Sequence, residues 1–205
     1  MSPAEALGFL RGPTTKDFLM HYIVSIASRT VGPGQFYIVD VPRAQADLHE
    51  AFRITEVHAQ HGSPPGAHPF PALSVPMRNK DTLVAGIDGL QLPNAGADIM
   101  VTGMLTSCAF MYSTNKQAMH CAHIEPTRAP QPPNTNRGLG LAVNLTANQP
   151  PFTNDAGGVR YFTRADYEGT HHANLVGVRR GDGWSLYVQG ITPNPPSIVF
   201  SKQLV

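Results

Sequence analysis

Short apolar runs bounded by glycine and proline recur along this 205-residue chain. Residues 18–30 (FLMHYIVSIASRT) and 35–42 (QFYIVDVP) are rich in strand formers. The VGPG between them predicts a turn, so the two are expected to form a hairpin. AFRITEVHAQ at 51–60 predicts a strand with Phe52, Ile54 and Val57 inward. HGSPPGAHPFP at 61–71 predicts a loop. Two apolar stretches follow, TLVAGIDGLQL at 82–92 and DIMVTGMLTSCAFMY at 98–112. The second is the most apolar in the chain and predicts a central strand leading into a short helix.

AMHCAHIEP at 118–126 predicts a strand stopped by Pro126, and 128–136 a proline-rich loop. GLGLAVNLTA at 138–147 predicts a strand, 148–158 a loop, and RADYEG at 164–169 a single helical turn. The clearest hairpin is HANLVGVRRGDGWSLYVQGI at 172–191, whose alternating arms flank Asp182-Gly183. SIVFSKQLV at 197–205 predicts a closing strand. The chain has no repeats and no heptads, and its length suits one compact domain or two small ones.

Composition sharpens this picture. Glycine and proline number 19 each, charged residues make up 14%, and the net charge is +1. That balance points to a loop-rich β protein and gives no electrostatic case for nucleic acid or an anionic membrane as partner. No segment approaches the ~18 consecutive apolar residues of a membrane helix. MSPAEALGFLRGPTTKDF at the N-terminus lacks the apolar core of a cleaved signal peptide, so export is expected to proceed without one.

Both cysteines of the chain, and two of its nine histidines, fall within residues 102–126 (TGMLTSCAFMYSTNKQAMHCAHIEP). Three chemistries compete for this cluster. A metal site would use His120, Cys121 and His123 with His171-His172 downstream. The spacing is poor for zinc, because 121 and 123 share one strand face and 120 takes the other. A Cys108–Cys121 disulfide needs neighbouring strands and an oxidising compartment. A nucleophile needs a thiol, a base, a group that orients the base, and oxyanion donors. Cys108 ends an apolar run, and His123 lies on the next expected strand. Against all three stands a plain reading, in which a buried cysteine is a small hydrophobe and threonine a strand residue.

Thr102-Gly-Met-Leu-Thr-Ser-Cys108, followed by Ala-His123-Ile-Glu-Pro, resembles the catalytic core of the cytotoxic necrotizing factor family, and within it the free-standing Burkholderia lethal-factor type. The resemblance covers about 25 residues, and it implies an α/β (α+β) fold. That fold is a central mixed β-sandwich flanked by short helices and long loops, forming a single catalytic domain over 1–205. It further implies a Cys–His–Thr triad of Cys108, His123 and Thr102, with the motif Leu105-Thr106-Ser107-Cys108 supporting the oxyanion. Thr106 stands where the family motif has serine, and Ser107 where it has glycine. If that position requires φ > 0, a serine there is strained.

The implied activity is deamidation of a glutamine on a host protein, through a thioester and with neither metal nor organic cofactor. The implied partner is a Rho-type GTPase or a translation initiation helicase. The protein is then a monomeric secreted or injected effector acting in the host cytoplasm. Two other classes remain open: a non-enzymatic β-sandwich interaction module, and a Cys–His hydrolase or protease of another specificity.

Overall fold

The structure, a computed structural model, describes residues 1–27, 32–41, 51–57, 63–75, 77–79, 86–126, 137–153, 158–193 and 196–205. Two helices open the chain. In α1 (Pro3–Arg11), Ser2 caps the first turn and Glu5 reaches back to the Ser2 N–H at 2.7 Å, a reciprocal capping box. Ala6, Leu7 and Leu10 make its buried stripe. In α2 (Thr15–His21), Thr15, Phe18 and Leu19 do the same. The 18–30 run is therefore not one strand. Its first part carries a helical stripe, and Ile23–Ala27 extends as β1.

The first sheet has eight strands. Besides β1 they are β2 (Gly32–Asp40), β3 (Ala51–Glu56), β4 (His68–Ser74), β7 (Ile99–Val101), β11 (His172–Arg180), β12 (Gly183–Pro193) and β13 (Pro196–Gln203). They run in the order β1-β3-β2-β4-β7-β11-β12-β13. The expected β1–β2 hairpin does not form, because β3 inserts between them, parallel to β1 and antiparallel to β2. Phe52 and Ile54 are buried as predicted, but Glu56 rather than Val57 takes the next inward place. The 61–71 loop also ends early, since β4 begins at His68. Pro69 and Pro71 are tolerated there because β7 pairs only with residues 72–74.

The second sheet contains β5 (Met77–Asn79), β6 (Leu90–Gln91), β8 (Ala109–Ser113), β9 (His120–Glu125) and β10 (Val159–Phe162). Its order is β10-β8-β9-β5, with β6 also on β9. The apolar run at 98–112 splits between the two sheets, with β7 in one and β8 in the other, and contains no helix. The 138–147 segment is helix α3 (Gly138–Asn148), not a strand. Leu141, Ala142 and Leu145 are its buried positions, and Leu141 and Leu145, at helical spacing, pack on Ala109, Met111 and Ile124 of the second sheet. The predicted turn at 164–169 is a 3-10 turn, Arg164–Tyr167. The 128–136 loop, the 82–85 part of the 82–92 run and 154–157 lie outside the described residues.

The result is a mixed α+β sandwich in four layers. α1 and α2 cover one face of the first sheet through Leu7, Leu10, Phe18, Phe36 and Ile54. Leu73, Met100, Leu175, Leu186 and Trp184 of that sheet meet Phe110, Tyr112 and Cys121 of the second. α3 closes the far side. Polar clamps fix the layers. Gln189, 1% exposed, accepts the Val24 N–H at 3.0 Å and donates to the carbonyls of Leu19 and Tyr22 at 2.6 and 2.8 Å. Arg180 binds the carbonyls of Arg11 and Gly12 and the Thr15 hydroxyl, tying the α1–α2 turn to β11. The predicted 172–191 hairpin is present, and Gly183 opens β12 with φ 108°. A Cβ there would lie 2.5 Å from the Lys116 carbonyl oxygen, so glycine is needed for both conformation and space.

Candidate active site

β9 places its side chains by simple alternation. Cys121 faces the core between the sheets, whereas Ala122 and Ile124 face α3. His123 shares the Cys121 face and is 0% exposed. Thr102 follows β7 and continues its alternation, in which Ile99 and Val101 face the helices and Met100 faces the other sheet. The two side chains meet across the sandwich, with Thr102 Oγ1 2.9 Å from His123 Nδ1. Nε2 of His123 is buried and finds no partner among the described residues. When Nδ1–H donates to the threonine oxygen, Nε2 is the bare nitrogen a general base requires. Burial holds this imidazole neutral, lowering its pKa from 6.5 to about 4.

Cys108 sits between the 106–107 turn and β8, 7% exposed, within the same interlayer cluster. The ladder pairs Ala109 with Ile124 and Phe110 with His123. Cys108 immediately precedes β8, so by alternation its side chain falls on the face of Phe110 and Tyr112, which His123 also takes, but no hydrogen bond joins its sulfur to His123 Nε2. Burial pushes the Cys108 thiol up from 9.0 to about 11. Hydrogen bonds from the Ser107 and Thr106 backbone oppose that rise, and the Glu125 charge adds to it. Thiol and imidazole are thus both neutral at rest, not a thiolate–imidazolium pair.

The motif turn is held from outside. Leu105 exchanges two backbone bonds of 2.9 Å with Ala173 of β11. Thr106 is exposed and Ser107 half-buried. Among the described non-glycine residues only Gln149 has a positive φ, so Ser107 carries no backbone strain in the place of the motif glycine. The Ser107 carbonyl accepts the Gly138 N–H at 3.1 Å, and the Cys108 carbonyl accepts the Tyr167 hydroxyl at 2.8 Å. A peptide is planar and trans, so fixing the Ser107 carbonyl outward turns the Cys108 N–H the other way. That N–H has no backbone acceptor among the described residues, as an oxyanion donor would require.

Tyr167 was not legible in the sequence as part of this site. Its ring is buried beside Phe162, and Arg164 stacks over it at 4.9 Å while binding the carbonyls of Tyr167 and Thr170 at 3.2 and 2.9 Å. The RADYEG pattern foretold the turn but not the partner 59 residues away.

The other candidates fall elsewhere. Cys108 and Cys121 are both free thiols, so the disulfide is not formed. Cys121 is fully buried, and burial raises its pKa well above 9.0. His120 is buried with its ring 5.8 Å from that of Phe152, on the α3 side. His171 and His172 touch each other at the start of β11, near the Leu105–Ala173 bridge, with Nδ1 atoms 3.1 Å apart. Among the described residues no group of three or more His, Cys, Asp or Glu is placed to hold a metal ion.

Comparison with known proteins finds similarity in structure but not in sequence. No family model matches the chain, and no curated protein matches its sequence. Among solved structures it is similar to the C-terminal domain of CNFy from Yersinia pseudotuberculosis, over 99% of each chain, at 11% identity and a TM-score of 0.44.

Proposed function

We propose that the chain is a protein-glutamine deamidase with Cys108 as nucleophile, His123 as base and Thr102 as the group that orients it. The observation that carries this reading is the buried Thr102–His123 hydrogen bond, which leaves Nε2 without a partner on the face that Cys108 also occupies. The Leu105–Cys108 motif and its interval to His123 support it.

The proposed chemistry follows from a neutral resting pair. As the sulfur attacks the carboxamide carbon of a glutamine side chain, its proton passes to His123 Nε2. The new oxyanion is aimed at the Cys108 N–H, a donor of a kind worth about 3 kcal/mol. Collapse breaks the C–N bond, and His123 returns the proton to the departing ammonia. Water, deprotonated by His123, then cleaves the thioester to give glutamate and the free thiol. The motif also supports a substrate on a folded host protein, of the Rho-type GTPase or translation initiation helicase class, met in the host cytoplasm.

The test is incubation of the protein, and of Cys108→Ala, with host-cell lysate and with purified proteins of both classes. Ammonia release and glutamine-to-glutamate conversion are read by mass spectrometry. Conversion that requires Cys108 is expected. Conversion that persists in Cys108→Ala, or none in any sample, overturns the reading. One observation favours a second reading, a non-enzymatic interaction module: thiol and base are almost wholly buried. On that reading Cys108→Ala alters stability alone.

A further inference from the structure

β10 forms an outer edge of the second sheet, and its register fixes where each backbone group points. The Thr114 N–H donates to the Gly158 carbonyl at 3.0 Å, which makes those two a hydrogen-bonded pair of the antiparallel ladder. Alternation gives the same role to Arg160/Tyr112 and Phe162/Phe110. Val159 and Tyr161 therefore turn their N–H and C=O groups away from β8, about 6.8 Å apart along the strand. Among the described residues no backbone group meets them from that side.

These groups border a cleft of about 610 Å³ between β10, the 3-10 turn and the end of α3, lined also by Thr146, Gln149, Arg160 and Asp166. The charges in the cleft are unequal in their commitments. Asp166 already accepts the Thr163 N–H at 2.8 Å and the Thr163 hydroxyl at 3.2 Å, and lies 4.0 Å from Lys202. Arg160 is exposed and forms no ion pair among the described residues. Among the described residues the cleft thus offers two outward donor–acceptor pairs at strand spacing beside a cation that forms no ion pair.

We propose that β10 is a docking edge for an extended segment of a partner protein, which adds as a further strand and sets an acidic side chain against Arg160. Ladder bonds supply the affinity of such a site, and the charge supplies its preference. The surface does not depend on the thiol chemistry, so Cys108→Ala leaves it intact and its failure leaves the deamidase reading standing.

The test uses the full chain, ¹⁵N-labelled, and three synthetic eight-residue peptides. One alternates threonine and valine around a central glutamate, one has lysine in place of the glutamate, and one is the glutamate peptide N-methylated at alternate amides. Expected are shift changes centred on Val159 and Tyr161 with the glutamate peptide, about tenfold weaker binding of the lysine peptide, and none of the methylated one. Val159→Pro removes one outward donor without touching a bond to β8 and should abolish binding, while Arg160→Glu should reverse the charge preference. Equal response to all three peptides, or none at β10, overturns the proposal. So do β10 shifts that depend on protein concentration alone, because the edge then serves a second copy of the chain.

Discussion

Thr102 and His123 approach each other from opposite sheets and bond at 2.9 Å with no solvent contact on either side chain. Neither sheet alone can form this contact. Replacing Thr102 by valine keeps the shape and strands Nδ1 in the core. Unfolding in urea should show a loss of about 1–3 kcal/mol. Glutamine turnover should fall in the same variant, and Thr102→Ser should recover much of both.

The neutral burial of His123 predicts an acid-sensitive fold. Its folded-state pKa of about 4 lies below the ordinary 6.5, so between those values the unfolded chain binds a proton that the folded chain refuses. Stability is then full above pH 6.5 and falls as pH drops toward 4, by about 3 kcal/mol from this group. Denaturant midpoints measured across that window should decline in the parent protein and decline less in His123→Gln.

The thiols should respond very differently to an alkylating agent. Cys108, pushed up to about 11, should react slowly with iodoacetamide at neutral pH and faster as pH rises toward that value. Cys121 should stay unlabelled until the protein unfolds. Because the resting pair is neutral, His123→Ala should change the alkylation profile little while abolishing turnover. Rapid labelling of Cys108 at neutral pH, lost in His123→Ala, would instead indicate a preformed ion pair. Peptide mass mapping across pH distinguishes the two.

Tyr167→Phe deletes one hydroxyl and leaves the Cys108 carbonyl without its donor. The ring still fills its place under Arg164, so the fold should survive with a loss of about 1–3 kcal/mol. The turn that aims the Cys108 N–H is loosened, so kcat should drop more than KM changes. A purely structural role for Tyr167 predicts no change in kcat or in the Cys108 alkylation profile once the variant is folded.

What the sequence disclosed depends on how local each determinant is. The 172–191 hairpin was legible because alternation and a glycine turn reside in the same few residues. The parity of Cys121 and His123 and the stop at Pro126 were legible for the same reason. The α3 segment misled because its leucines and valine suit a strand, and only docking on the second sheet selects the helical spacing of Leu141 and Leu145. The Ser2/Glu5 capping box was present in the sequence but not recognised. Pairing of β1 with β3 is a long-range choice that no local pattern encodes. In the site, the order and interval of Thr102, Cys108 and His123 could be seen. The hold on the turn by Gly138 and Tyr167, and the neutral state of thiol and imidazole, arise from burial and distant partners.

Gln189 and Arg180 lie in the β11–β12 hairpin, yet they hold helices, and the turn between them, that precede them by 165–170 residues. α1 and α2 leave the ribosome well before their clamps, with Leu7, Leu10 and Phe18 in need of cover, and those clamps arrive only after some 165–170 further residues have been made. Closing so long a loop costs entropy before any contact repays it, which favours slow folding. Until then the nascent chain carries an open apolar face, the condition in which chaperones bind and aggregation begins. The β11–β12 hairpin is therefore a timing element. Variants that weaken it should lower the yield of folded protein in cells more steeply than their equilibrium stability would suggest.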